Sequence, residues 1–235
     1  MTKRVISVFL CVLCVISSIS FIETAKENKE YTSDNFLSVA DGIIAWKKAD
    51  NGSEPDGYLI NDKYLENAGT TPGDWYPIAL GRLGIQDNNE GYLAVIKDRV
   101  EERYRESGRL SAAKATEWHR IALAVLAMGG DPTNFGTDEN GAPINLIADG
   151  TYDRGKTTPL GRQGINGWIW GLITLDSMRY AVPDGAYNTR DDIIVEIISK
   201  QLSDGGFALS SDDADPDITA MAITALAPYY NSEKK

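Results

Sequence analysis

The chain has 235 residues, 24% charged and 43% hydrophobic, with 34 acidic side chains against 23 basic ones, a net charge of −11 and one histidine. An acidic balance of this size argues against binding nucleic acid or an anionic membrane through bulk charge. Both cysteines, Cys11 and Cys14, lie close to the N-terminus. A chain cleaved beyond them holds no thiol and no disulfide, and its fold rests on its core.

The chain opens on the basic pair Lys3 and Arg4, followed by an almost unbroken apolar run from Val5 to Ile22. Small-x-small sites end at Ser20 and, less well, at Ala25, which is the pattern of a secretory signal. We read 1–25 as the signal peptide, 26–33 as a polar linker and 34–235 as one domain, secreted or at the cell surface. No stable membrane span is expected after cleavage. An uncleaved N-terminal anchor is the alternative, because about 18 apolar residues approach the length that crosses a bilayer.

From Phe36 onward apolar residues recur at helical spacing, with almost no strand-like alternation. The spacing predicts helices at 34–49, 56–68, 74–85, 89–107, 111–129, 163–181, 189–203 and 215–230. Turn-forming runs such as DNGSEPDG, GTTPGD, VPDGAY and SDGGF separate them. The connection from Gly130 to Arg162 is long, with a short helical turn or a small strand pair expected around PINLIADGTYD.

Four of the helices form an internal repeat. Aligning DWYPIALGRLG, EWHRIALAVLA, NGWIWGLITLD and DITAMAITALA gives a polar first column of Asp74, Glu117, Asn166 and Asp217. A small column follows at Ala79, Ala122, Gly171 and Ala222, then aliphatic columns at Leu80, Leu123, Leu172, Ile223 and at Leu83, Leu126, Leu175, Leu226. The copies lie about 43, 49 and 51 residues apart, the length of a helical hairpin with its loops. Small residues let neighbouring helices approach, and the aliphatic columns form a stripe against a partner. The intervening helices carry more charge on one face. The fold class is therefore all-α, built of repeated hairpins with inner and outer helices.

The turn KQLSDGGFAL, Lys200–Leu209, sets Gln201, Gly205 and Phe207 in the order of the glutamine, glycine and aromatic repeat of squalene cyclases and related prenyltransferases. The next stretch, DPDITAMA, is similar to the D-x-D-D-T-A motif of class II terpene cyclases. Together with the hairpin repeat, these resemble the terpenoid cyclase/protein prenyltransferase α/α-toroid superfamily. More narrowly, the chain looks like secreted or surface proteins of Gram-positive bacteria that carry prenyltransferase or squalene-oxidase-type repeats. The resemblance implies an inner ring of helices around an apolar cavity. Members normally complete six hairpins, so about four here imply a partial ring, self-association with another copy, or further C-terminal domains.

The resemblance places the proton donor of a cyclase at Asp217, with Asp215 as the first aspartate of the motif and Ile218 where the third would stand. The residues themselves offer a second reading. Asp215 before Pro216 is a helix start, and Asp217 then lies in the first turn, where the helix dipole favours its ionised form. The polar column is open in the same way: Asp74, Glu117, Asn166 and Asp217 either cap their helices or converge on a cavity mouth as carboxylates of a carbohydrate-active enzyme. Trp75, Trp118, Trp168 and Trp170 are candidate cavity walls for an apolar or mixed ligand, and His119 is a candidate at the cavity edge. Arg154, Lys156 and Arg162 form a basic island just before a helix start, an anion-binding candidate. A prenyltransferase-type zinc site needs a cysteine that a cleaved chain lacks, and no metal or cofactor is expected. The reading that follows is a binding module, with a terpene-cyclase-like enzyme as the alternative and a carbohydrate-active enzyme third.

Overall fold

The computed structural model describes residues 33–230 except 156 and 157, so the expected signal peptide and most of the expected linker lie outside the described residues. Two compact units divide the chain, 1–47 and 48–235. Helix α1, Ser33–Asn51, supplies the described part of the first unit and ends in the second. Its Phe36, Val39, Ile43 and Trp46 recur every three or four residues and are all exposed.

The second unit is all-α. It contains α2 (Asp62–Leu65), α3 (Thr71–Leu83), α4 (Asn89–Ser107), α5 (Ala115–Ala127), α6 (Ile165–Asp176), α7 (Arg190–Ile198) and α8 (Pro216–Leu226). Among the described residues there is no strand; the only sheet-like pairing is one bridge between Thr137 and Pro143. The repeat copies are α3, α5, α6 and α8, and they are successive neighbours, α3 against α5, α5 against α6 and α6 against α8. Trp75 of α3 lies 5.6 Å from Trp170 of α6, so side chains from the first and third copies meet on one face.

Close approach between copies depends on glycine. A Cβ on Gly81 would sit 2.0 Å from the Ala127 carbonyl at the end of α5, and one on Gly167 would sit 2.0 Å from the Leu160 carbonyl. In the small column Ala122 and Ala222 are buried, Gly171 packs against Thr151 and Leu160, and Ala79 is exposed. The charged helix α4 buries one narrow stripe, Tyr92, Ile96, Val100 and Tyr104, each one turn after the last.

One predicted helix is cut short by a distant partner, and another stays helical through a proline. Only Asp62–Leu65 of the predicted 56–68 is helical. Just before it, both oxygens of Asp87 accept the backbone N–H groups of Leu59 and Ile60, each at 2.9 Å, and both residues are fully buried. Helix α3 accommodates the buried Pro77, which has no N–H for the Gly73 carbonyl one turn earlier; the Tyr64 hydroxyl donates to that carbonyl instead, at 3.0 Å. Of the two alternatives for the long connection, the helical turn is present, as a π-helical turn at Ala148–Tyr152; in place of a strand pair there is one bridge, beside which Phe135 N–H donates to the Ile144 carbonyl at 2.9 Å.

One buried ion pair joins α3, α4 and α5. The Asp74 side chain is fully buried and accepts from the Gly69 N–H at 2.7 Å, the Tyr92 hydroxyl at 2.7 Å and Arg120 Nε at 2.7 Å. Arg120 also donates to the Gly69 carbonyl and to Thr71 Oγ1. Burial pushes the Asp74 carboxyl upward, while Arg120, Tyr92 and Gly69 act against that. Removing one partner leaves a charge in the core, at a cost of about 3–5 kcal/mol. Arg120→Met is expected to lose that much stability in urea unfolding; a loss under about 1 kcal/mol would show that the pair is not a structural centre.

Candidate functional site

A broad apolar surface of the second unit lies between α7 and α8. It is a groove of about 1110 Å³, walled by Ile194, Val195 and Ile198 of α7 and by Ile223 and Leu226 of α8. Ile223 is 62% exposed, whereas Leu80 and Leu172, at the same column of earlier copies, are buried. Leu123 of the same column is half-buried, so exposure at this column is greatest in α8.

The groove floor is the DGGF turn. Gly205 takes φ +89°, which a side chain rarely adopts. Gly206 turns so close to Ala214 that a Cβ would come within 2.4 Å of it. The Thr219 hydroxyl, one turn into α8, accepts from the Phe207 N–H at 2.9 Å and lies 3.2 Å from the Phe207 carbonyl, to which it donates. Gln201 closes the loop by donating to the Gly205 carbonyl at 2.8 Å. Gln201, Gly205 and Phe207 thus hold the turn that carries α7 into α8, and they line the groove while doing so. At the rim Arg190 pairs with Asp176 at 2.8 Å, and Tyr229 donates to the other oxygen of the same carboxylate at 2.7 Å. Burial and Asp176 push the Tyr229 hydroxyl up to about 12.

Asp215 is the N-cap of α8. Its Oδ1 accepts from the N–H groups of Asp217, at 2.8 Å, and Ile218, at 3.0 Å. Asp217 is exposed in the first turn and is not among the residues lining the groove. The rest of the polar column divides by partner. Asp74 is buried in the ion pair with Arg120, Glu117 pairs with Arg103 at 3.2 Å, and Asn166 holds a buried Oδ1 with no hydrogen-bond partner.

A second, buried cluster joins α4, α5 and the π-turn. Trp118 Nε1 donates to the Tyr104 hydroxyl at 2.8 Å, which donates to Asp149 Oδ2 at 2.6 Å. Burial raises the Asp149 carboxyl, with the Tyr104 hydrogen bond working against it. His119 Nε2 donates to the Gly150 carbonyl at 2.9 Å, and its Nδ1 has no partner. Arg154, 4% exposed, places its guanidinium 4.7 Å from the centre of the Trp118 ring. Trp168 packs over Gly161, and Trp75 and Trp170 face each other as described. Arg162 is exposed, and Lys156 lies outside the described residues. Nothing in the sequence marked the α7–α8 groove, because it depends on which faces of the two helices stay exposed.

Among the described residues no group of three or more His, Cys, Asp or Glu is placed to hold a metal, and no helix is long and apolar enough to cross a membrane. No family model, curated protein or solved structure matches the chain.

Two measurements follow. Asp215→Ala removes a side-chain cap and is expected to cost about 1 kcal/mol, while Asp217→Asn leaves stability within about 0.5 kcal/mol. The reverse order in urea unfolding would contradict the capping assignment. For His119, burial, aided by Arg154 and opposed by the Gly150 bond, lowers the pKa from 6.5 to about 3. Between those values the unfolded chain binds a proton that the folded chain does not, so stability is full above pH 6.5 and falls as pH drops. Wild type should lose up to about 1.4 kcal/mol per pH unit more than His119→Gln between pH 6 and 4, and parallel profiles would reject this linkage.

Proposed function

We propose that the chain is a helical-hairpin binding module of a secreted or surface protein, whose groove between α7 and α8 takes an apolar or mixed ligand. The observation that carries this reading is the bare Ile223, lining the groove with Val195 and Ile198, where Leu80 and Leu172 of earlier copies are buried and Leu123 is half-buried. Fully burying one such side chain is worth about 1.5–3 kcal/mol, so a ligand that covers several gains enough to bind. Arg190, the first residue of α7, puts a polar group at one end of the groove, which suits a long apolar body with one polar end.

The successive neighbours α3, α5, α6 and α8, with Trp75 reaching Trp170, support a curved row of inner helices. We take this row as a partial α/α-toroid, and the terpenoid-cyclase resemblance of the DGGF turn agrees with it. Asp217 lies outside the groove and its neighbour Asp215 is engaged in capping, so binding fits the geometry better than proton donation.

Farnesol, an apolar chain with one hydroxyl, is a direct probe. Wild type is expected to bind it with a micromolar Kd by calorimetry. Ile223→Asp should raise that Kd at least about tenfold with an unchanged thermal midpoint, since the residue is exposed in the free protein. No heat of binding up to the solubility limit, or equal affinity in the two proteins, would reject the proposal.

A further inference from the structure

We propose that Arg154, with Arg109 and Arg162 beside it, forms a binding site for a small oxyanion, a carboxylate or phosphate group, separate from the apolar groove. The site starts from a buried guanidinium that is only partly satisfied. Nη1 makes one long contact to the Asp149 carbonyl, at 3.4 Å, while Nε and Nη2 are buried without a hydrogen-bond partner. Those two nitrogens form one edge of the guanidinium, the edge that meets two oxygens of a carboxylate or phosphate side by side.

The guanidinium is held in place rather than left loose. Its face lies over Trp118, and Trp118 is fixed by its own hydrogen bond to Tyr104. The backbone is held too, because Asn188 Nδ2 donates to the Arg154 carbonyl and the Thr151 carbonyl, each at 3.0 Å. Pre-positioning of this kind lowers the ordering cost of binding.

Charge supplies the second argument. Arg109 and Arg162 are exposed and near enough to act on the charge of Arg154, and both repel it. In a chain with 34 acidic side chains, none of these three arginines has a carboxylate within ion-pair distance among the described residues. The nearby Asp149 is engaged by Tyr104 instead. A buried cation with an unused edge, attracted by Asp149 and Tyr104 but repelled by Arg109 and Arg162, gains further stabilisation from an incoming anion. The edge is closed to water in the free protein, so binding requires a small local opening. The adjoining Gly155 is covered by the Tyr187 ring, which is itself 67% exposed and can move aside.

The test is the thermal midpoint of the full chain at pH 7 in sodium phosphate, acetate and chloride at matched ionic strength. Wild type, Arg154→Lys and the exposed double variant Arg109→Gln/Arg162→Gln are compared. General salting effects act on all three proteins alike and subtract. A saturable rise of about 3 °C or more over chloride is expected for wild type at ten times the Kd, lost in Arg154→Lys and weakened at least about tenfold in Kd in the double variant. A rise in phosphate alone identifies a phosphate site, and a rise in both salts a general oxyanion site; either supports the proposal. If Arg154→Lys does not fold, the double variant decides. Equal midpoints in all three salts, or a rise that all variants share, would overturn it.

Discussion

The carboxylate of Asp74 has no water to lean on, and every one of its contacts is to another part of the chain. Gly69 precedes α3, Tyr92 begins the buried stripe of α4, and Arg120 reaches over from α5. A buried ion pair is worth keeping only when the remaining donors and acceptors are also satisfied, and here Arg120 uses its other nitrogens on Gly69 and Thr71. The first hairpins are therefore held in one register by a polar centre, while the apolar columns only ask to be covered. Once α3, α4 and α5 are set, each later copy of the repeat packs against the previous one, through α6 to α8.

The apolar groove lies where this packing leaves aliphatic side chains uncovered. Leu172 and Leu175 of α6 are fully buried, whereas Val195 and Ile198 of α7 and Ile223 of α8 remain exposed. The DGGF turn sits at the centre of this arrangement. Thr219 ties α8 to Phe207, Asp215 caps α8, and the Asp215 N–H is itself bonded to the Phe207 carbonyl at 2.8 Å. The residues that resemble a cyclase motif are engaged in positioning two helices whose facing sides are the groove.

Much of the architecture was legible in the sequence, because burial along these helices follows the 3.6-residue period. The 89–107 span is the clearest case: polar on most of its circumference, it is kept helical by four apolar residues one turn apart, an Asn88 cap and a terminal Gly108. Asp215 as a cap was legible for the same local reason, an Asp before a Pro. What was not legible depended on distant partners. Leu59 and Ile60 leave the helical pattern because Asp87, far along the chain, takes their N–H groups. The polar column suggested a shared mouth, but Asp74 and Glu117 answer to Arg120 and Arg103, and no spacing rule identifies those pairs. The basic island was visible as composition; that Arg154 lies beneath the surface on Trp118 was not.

The α7–α8 groove is proposed as a ligand site, and locating a bound ligand tests that most directly. A crystal structure of the chain with farnesol is predicted to show the apolar chain between Ile194 and Ile198 of α7 and Ile223 of α8, with its hydroxyl toward Arg190. An empty groove, with farnesol lodged instead against the Trp75–Trp170 pair, would contradict it.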